Sequence, residues 1–105
     1  MDLDAEDCPP PAVPDGIPFR ELLIVNRKGL HARASAKFVQ TVERFDAVVT
    51  VTRCGETVGG RSIMGLLTLG AAKGTTITVT AEGDDADASL AAIAALVEGR
   101  FGEDE

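Results

Sequence analysis

The sequence predicts a two-layer α+β sandwich, in which helices cover one face of a small antiparallel sheet. The segments 47–53 and 75–81 place apolar residues on one face and mostly threonines on the other. Such alternation is typical of strands with one buried face and one solvated face. The segments 32–45 and 84–100 instead repeat their apolar residues at helical spacing. Helices packed on one side of an antiparallel sheet give this architecture.

The first half of the chain supplies two predicted strands and a helix. A short apolar run beginning at Glu21 predicts the first strand. The helix over 32–45 follows because four apolar residues recur at its inner face: Ala34, Phe38, Val42 and Phe45. The strand at 47–53 leads through a turn at Cys54-Gly55 into a weaker return strand at "ETVGG".

The second half supplies the last strand and two more helices. Ser62 is expected to cap a short helix that reaches Leu69 and stops at Gly70. The strand at 75–81 comes next, and Asp84 or Asp85 then caps a helix that runs to about Arg100. The predicted order is β-α-β-β-α-β-α.

Charge and proline divide the 105 residues into one domain with two tails. Residues 1–19 contain all five prolines and five acidic residues but no Lys or Arg, and this segment is expected to be disordered. Residues 102–105 form a second acidic tail. The net charge of −7 belongs mainly to these tails, because the predicted domain over 20–101 holds nine acidic and ten basic residues.

Composition excludes several classes of function. One histidine and two cysteines without ligand spacing do not make a metal site, and no disulfide framework is expected from Cys8 and Cys54. No cofactor is expected either. The start of the chain lacks a signal-peptide pattern, and no apolar run reaches membrane-spanning length. Nucleic-acid binding is not expected, since the domain is not basic and its few Phe suit the core. These features predict a cytoplasmic protein.

The stretch "GLHARASAKFV" places the only histidine, His31, at the mouth of the first helix. Gly29 allows a tight turn before it, and the first helical turn presents unpaired N–H groups that favour anions. Four bases lie close in sequence, with no acid between Glu21 and Glu43: Arg27, Lys28, Arg33 and Lys37. An imidazole nitrogen can accept a phosphoryl group, and Arg33 could bind its oxygens in a forked arrangement.

Two other interpretations of this stretch use the same residues. His31 could be a structural histidine at a helix start, and the bases could be a solvated positive face. Ser35 lies on the same helix face as His31, but the sequence offers no orienting acid or oxyanion site, so a hydrolase is not expected.

The segments "NRKGLHARASAKFV" and "GGRSIMGLLTLGAAKGTTITVTAEGDDADASLAAIAALV" resemble the histidine-containing phosphocarrier family, HPr, of the phosphoenolpyruvate-dependent phosphotransferase system. The resemblance runs from about residue 20 to about 98. It implies an open-faced β-sandwich with sheet order 1-4-2-3 and three helices. It also implies that enzyme I phosphorylates His31 on Nδ1, that Arg33 is the active-site arginine, and that an EIIA-type protein receives the phosphate.

The same resemblance implies a regulatory site and a docking surface. Ser62 falls at the position that HPr kinase/phosphorylase modifies where that enzyme exists. The short helix has more apolar residues than one buried face can hold, so part of it is expected to be exposed beside the histidine. The expected docking residues are Ile63, Met64, Leu67 and Lys37. The protein would act as a monomeric carrier with a covalent phosphohistidine rather than as a self-contained enzyme.

One departure from the family pattern leaves a second function open. Many sugar-type members have Pro after the active-site arginine, and this chain has Ala34. The "HARA" form is similar to nitrogen-type members. The alternative is therefore a regulatory binding module whose phosphorylation state controls its partners rather than sugar uptake.

Overall fold

The computed structural model describes residues 13–104. It has four strands and three helices, and a short 3₁₀ turn follows the last helix. Their bounds are β1 Phe19–Leu23, α1 Ala32–Val42, β2 Val48–Arg53, β3 Glu56–Gly59, α2 Ile63–Thr68, β4 Thr76–Glu82, α3 Ala86–Glu98 and the C-terminal turn Arg100–Gly102. The predicted order of elements is confirmed.

The four strands form one antiparallel sheet in the order β1-β4-β2-β3. β4 lies in the centre, pairing Ile77 with Leu22 of β1 and Val79 with Val51 of β2. These paired side chains are all buried on the same face. The expected open-faced sandwich is therefore confirmed, including its strand order.

The three helices cover the inner face of this sheet and enclose the core. α3 packs on β1 and β4, while α1 packs on both other helices. The largest fully buried side chains include Phe38 of α1, Ile93 of α3 and Phe101 of the C-terminal turn. The buried side chain of Phe101 thus fixes the C-terminal turn against the core. This contact determines the position of the residues that follow.

The outer face carries the predicted threonines, but part of it is covered. Val13, Pro14 and Ile17 lie beside the threonines of β2, β3 and β4, around a cavity of about 320 Å³. Thr78 is only 5% exposed. The expectation that this face meets water is therefore wrong at Thr78. Residues 1–12 of the predicted disordered tail lie outside the described residues.

Several local predictions need correction. α1 ends at Val42 rather than Phe45, and α3 ends at Glu98, where Gly99 follows. Asp85 occupies the N-cap position of α3, but its carboxylate accepts the backbone N–H of Asp46 (2.7 Å) instead of capping the helix. The expectation of no disulfide framework from Cys8 and Cys54 involves Cys8, which lies outside the described residues.

Candidate active site at the start of α1

A glycine turn delivers His31 to the start of α1. Gly29 has φ 64°, and a Cβ at this position would collide with the carbonyl of Ala71. The next residue, Leu30, is buried and donates its N–H to the same Ala71 carbonyl (2.9 Å). This packing fixes the position of the loop. The half-buried His31 side chain is therefore held at one place on the surface.

His31 is the N-cap residue of α1, with φ −75° and ψ −178°. Its side chain does not cap the helix, and the first helical bond runs from Ser35 N–H to the His31 carbonyl (2.8 Å). The first turn of α1 contains no acidic residue. The partial positive charge of this helix end is therefore available to an anion beside the ring.

Three basic side chains line the cavity beside the ring, together with the acidic residues Glu103 and Asp104. His31 lines an open cavity of about 450 Å³ together with Arg27, Lys28 and Arg33. The three basic residues are exposed, and Arg33 lies in the first turn of α1. Their guanidinium and ammonium groups suit a phosphate, because charge-assisted hydrogen bonds to its oxygens are stronger than neutral ones. The structure thus brings together the predicted histidine and arginine.

Glu103 belongs to the same site and was not predicted. Its Oε2 lies 2.5 Å from Nε2 of His31, and its Oε1 accepts a hydrogen bond from Nδ2 of Asn26 (3.1 Å). Asn26 is fully buried and also donates to the Gly29 carbonyl (2.9 Å). The sequence predicted only a solvated acidic tail here, and nothing in its local pattern links residue 103 to residue 31.

The environment of Glu103 keeps its carboxyl ionised. Partial burial acts to raise the pKa of this group, but the hydrogen bonds from His31 and Asn26 and the nearby charges of the ring and Lys28 lower it overall. An ionised carboxylate can only accept hydrogen bonds. Where Glu103 is ionised, Nε2 of His31 is therefore the donor in this contact.

Lys37 holds the C-terminal turn instead of projecting freely from α1. Its Nζ donates to the carbonyl of Phe101 (2.6 Å). The backbone there is unusual, because Arg100 and Phe101 have φ of 59° and 54°, and Gly102 has φ 78°. Left-handed conformations are costly for residues with a Cβ and persist where their surroundings hold them. Here the burial of Phe101 and the bond from Lys37 do so.

The second predicted site lies on α2, which packs against α1. Ser62 is the N-cap residue, and its Oγ accepts the N–H of Gly65 (2.9 Å), as predicted. Ile63 is 40% exposed and Met64 is 70% exposed, whereas Leu67 is half-buried. We call Ile63, Met64 and Leu67 the α2 patch.

Two features are absent from residues 13–104, a metal-ligand cluster and a membrane-spanning helix. No group of three or more His, Cys, Asp or Glu side chains in this range could hold a metal ion. Within the same range, no helix is both long and apolar enough to span a membrane.

Comparison with known proteins gives the family of this chain. The family model described as "PTS HPr component phosphorylation site" matches residues 19–99. The phosphocarrier protein HPr of Neisseria meningitidis is 49% identical over 82 residues, covering 78% of this chain and 92% of the relative. The phosphocarrier protein NPr of Shewanella violacea is 43% identical over 84 residues, covering 80% of this chain and 92% of the relative.

A solved structure gives the same result for the fold. The crystal structure of HPr-C-His from Thermoanaerobacter tengcongensis superimposes with a TM-score of 0.81 at 38% identity. The match covers 84% of this chain and 99% of that one. Fold, family model and relatives therefore agree that this chain belongs to the HPr family of phosphotransferase-system phosphocarriers.

Proposed function

We propose that the protein accepts a phosphoryl group from enzyme I on Nδ1 of His31 and passes it to an EIIA-type protein. The observation that carries this proposal is the position of His31 at the uncapped start of α1, in a cavity that three basic side chains also line. A phosphoryl group on the ring would bring a dianion to the end of the helix that attracts anions. The same surroundings would hold the charge during transfer.

Arg33 is the proposed phosphate-binding residue. It is exposed in the first turn of α1 and lines the cavity beside His31. Its planar guanidinium can contact two oxygens of a transferring phosphoryl group at once. It would therefore act mainly when the phosphate is present.

The α2 patch is the proposed docking surface for both partners. Its exposed Ile63 and Met64 lie on a helix that packs against α1. A carrier must release each partner quickly, so a small apolar surface with a charged rim fits the task. Lys37 is proposed to contribute to this rim, although one of its N–H groups is already donated to Phe101.

Ser62 is proposed as a regulatory phosphorylation site at the edge of this patch. The residue is exposed, and its hydroxyl oxygen already accepts a backbone N–H of the first turn of α2. A phosphate on this oxygen would add nearly two negative charges next to Ile63. This phosphate would weaken the docking of partners, whereas helix α2 would stay folded.

The central experiment is phosphorylation with phosphoenolpyruvate and the enzyme I of the same organism, followed by intact mass. We expect a mass gain of one phosphoryl group that mild acid removes. His31→Ala should lose this gain and keep its fold, because the half-buried side chain lies outside the core. An acid-labile phosphate on His31→Ala would contradict the assignment.

The regulatory alternative is supported by Ala34 and by the similarity to an NPr protein. It can be separated from sugar transport by comparing enzyme I of the sugar type with that of the nitrogen type. A large preference in rate for the nitrogen-type enzyme would favour the regulatory module. A cytoplasmic location and a monomeric state stay predictions, which cell fractionation and sedimentation can test.

A further inference from the structure

We propose that Glu103 is a positioning residue that fixes the tautomer of His31. It holds the ring proton on Nε2 and so leaves Nδ1 as the nucleophile. The observation is the 2.5 Å contact between Glu103 Oε2 and His31 Nε2. The proposal deepens the proposed function, since it rests on His31 as the phosphoryl acceptor.

The chemistry of the two groups determines which nitrogen reacts. A neutral imidazole has one N–H and one lone pair, and the hydrogen bond at one nitrogen selects the role of the other. A carboxylate offers no proton, so its partner nitrogen must be the donor. With Nε2–H facing Glu103, the lone pair lies at Nδ1.

The carboxylate is held in place from two sides. Asn26, fully buried, donates to Glu103 Oε1 and to the Gly29 carbonyl, so one amide links the carboxylate to the glycine turn before the histidine. On the other side, the buried Phe101 fixes the turn that precedes Glu103.

The transfer step balances without moving a proton from Nδ1. The Nδ1 lone pair forms the N–P bond while the bond from phosphorus to its donor atom on enzyme I breaks, and that electron pair stays with the donor. The phosphorylated ring keeps its proton on Nε2 and becomes positively charged, facing the Glu103 carboxylate. Without this carboxylate, some rings carry the proton on Nδ1, where it blocks the attack.

The first test is the tautomer of the unphosphorylated protein, which does not depend on enzyme I. Nitrogen chemical shifts of ¹⁵N-labelled histidine, at a pH where the ring is neutral, should show Nε2–H in the wild type. Glu103→Ala and Glu103→Gln should both gain the Nδ1–H form, because a glutamine amide can accept from or donate to the ring. Glu98→Gln removes the same charge from the exposed end of α3 and should change nothing.

The second test is the single-turnover rate with phosphorylated enzyme I. Glu103→Gln should be slower by roughly tenfold, the factor expected for losing a charge-assisted hydrogen bond. Glu103→Asp, which keeps a carboxylate on a shorter side chain, should recover part of the rate, and Glu98→Gln should match the wild type.

Two results would overturn the proposal. One is an unchanged tautomer in Glu103→Ala, and the other is a transfer rate of Glu103→Gln equal to or above that of the wild type. A wild-type protein that enzyme I fails to phosphorylate would instead contradict the proposed function, while the tautomer measurement would still decide the role of Glu103.

Discussion

Replacing Phe101 with Ala tests whether the C-terminal turn is docked as the structure describes. Phe101 is fully buried, and truncation of a core Phe to Ala costs about 3–5 kcal/mol. The residue sits at φ 54°, and release of the turn would regain roughly 1–2 kcal/mol of backbone strain. We therefore expect the free energy of unfolding to fall by about 1–4 kcal/mol.

Urea unfolding, with both midpoint and slope fitted, measures this change. Phe19→Ala is the matched control, because Phe19 is 48% exposed on β1, and its truncation should cost less than about 1 kcal/mol. Equal losses in the two variants, or a loss below about 1 kcal/mol for Phe101→Ala, would refute the docked turn. The position of Glu103 beside His31 would then lack its main support.

Three further predictions concern the site. Arg33→Ala should lower the rate of phosphoryl transfer on the order of tenfold while partner affinity changes little, because the guanidinium acts on the transferring phosphate. Transfer kinetics measure the rate and calorimetry measures the affinity. A loss of affinity with an unchanged transfer rate would make Arg33 a docking residue. Ser62→Asp should slow phosphorylation of His31 with little change in Tm, whereas equal rates for wild type, Ser62→Ala and Ser62→Asp would leave Ser62 as a helix cap. The pKa of the Glu103 carboxyl is lowered from 4.5, so its stabilising effect is fully present above that pH and is lost as the pH falls through the lowered value. The stability difference between wild type and Glu103→Gln should therefore shrink in acid, and a difference that stays constant down to the acid limit of folding would contradict the ionised contact.

Local patterns were enough to predict the helices and strands and their order along the chain, while the order of the strands in the sheet came from the family resemblance. Strand β4 was correctly predicted because Ile77, Val79 and Ala81 alternate with threonines. Successive side chains of a strand point to opposite faces of the sheet, so this alternation follows from the strand itself. The cap at Ser62 was also local, since its oxygen reaches an N–H only three residues away. The helix ends were less accurate, because Phe45 continues the apolar period of α1 beyond the point at which the helix stops.

The covered part of the outer face shows a limit of such patterns. Thr78 alternates like its neighbours, and its sequence position predicts exposure. It is buried because the segment before β1, including Val13 and Ile17, lies against that face. Periodicity describes which residues share a face, but it contains no information on what another segment places over that face.

The sequence by itself predicted His31 as the phosphoryl acceptor that we propose, and the tertiary structure decided which groups orient its ring. Glycine turn, histidine, helix start and arginine are contiguous, so their chemistry can be recognised within a few positions. Glu103 lies 72 positions from His31 and reaches it only because Phe101 is buried and the following backbone turns through left-handed conformations. Burial of a side chain is a property of the whole packed core, and no local period or motif specifies which distant residue it brings to the ring.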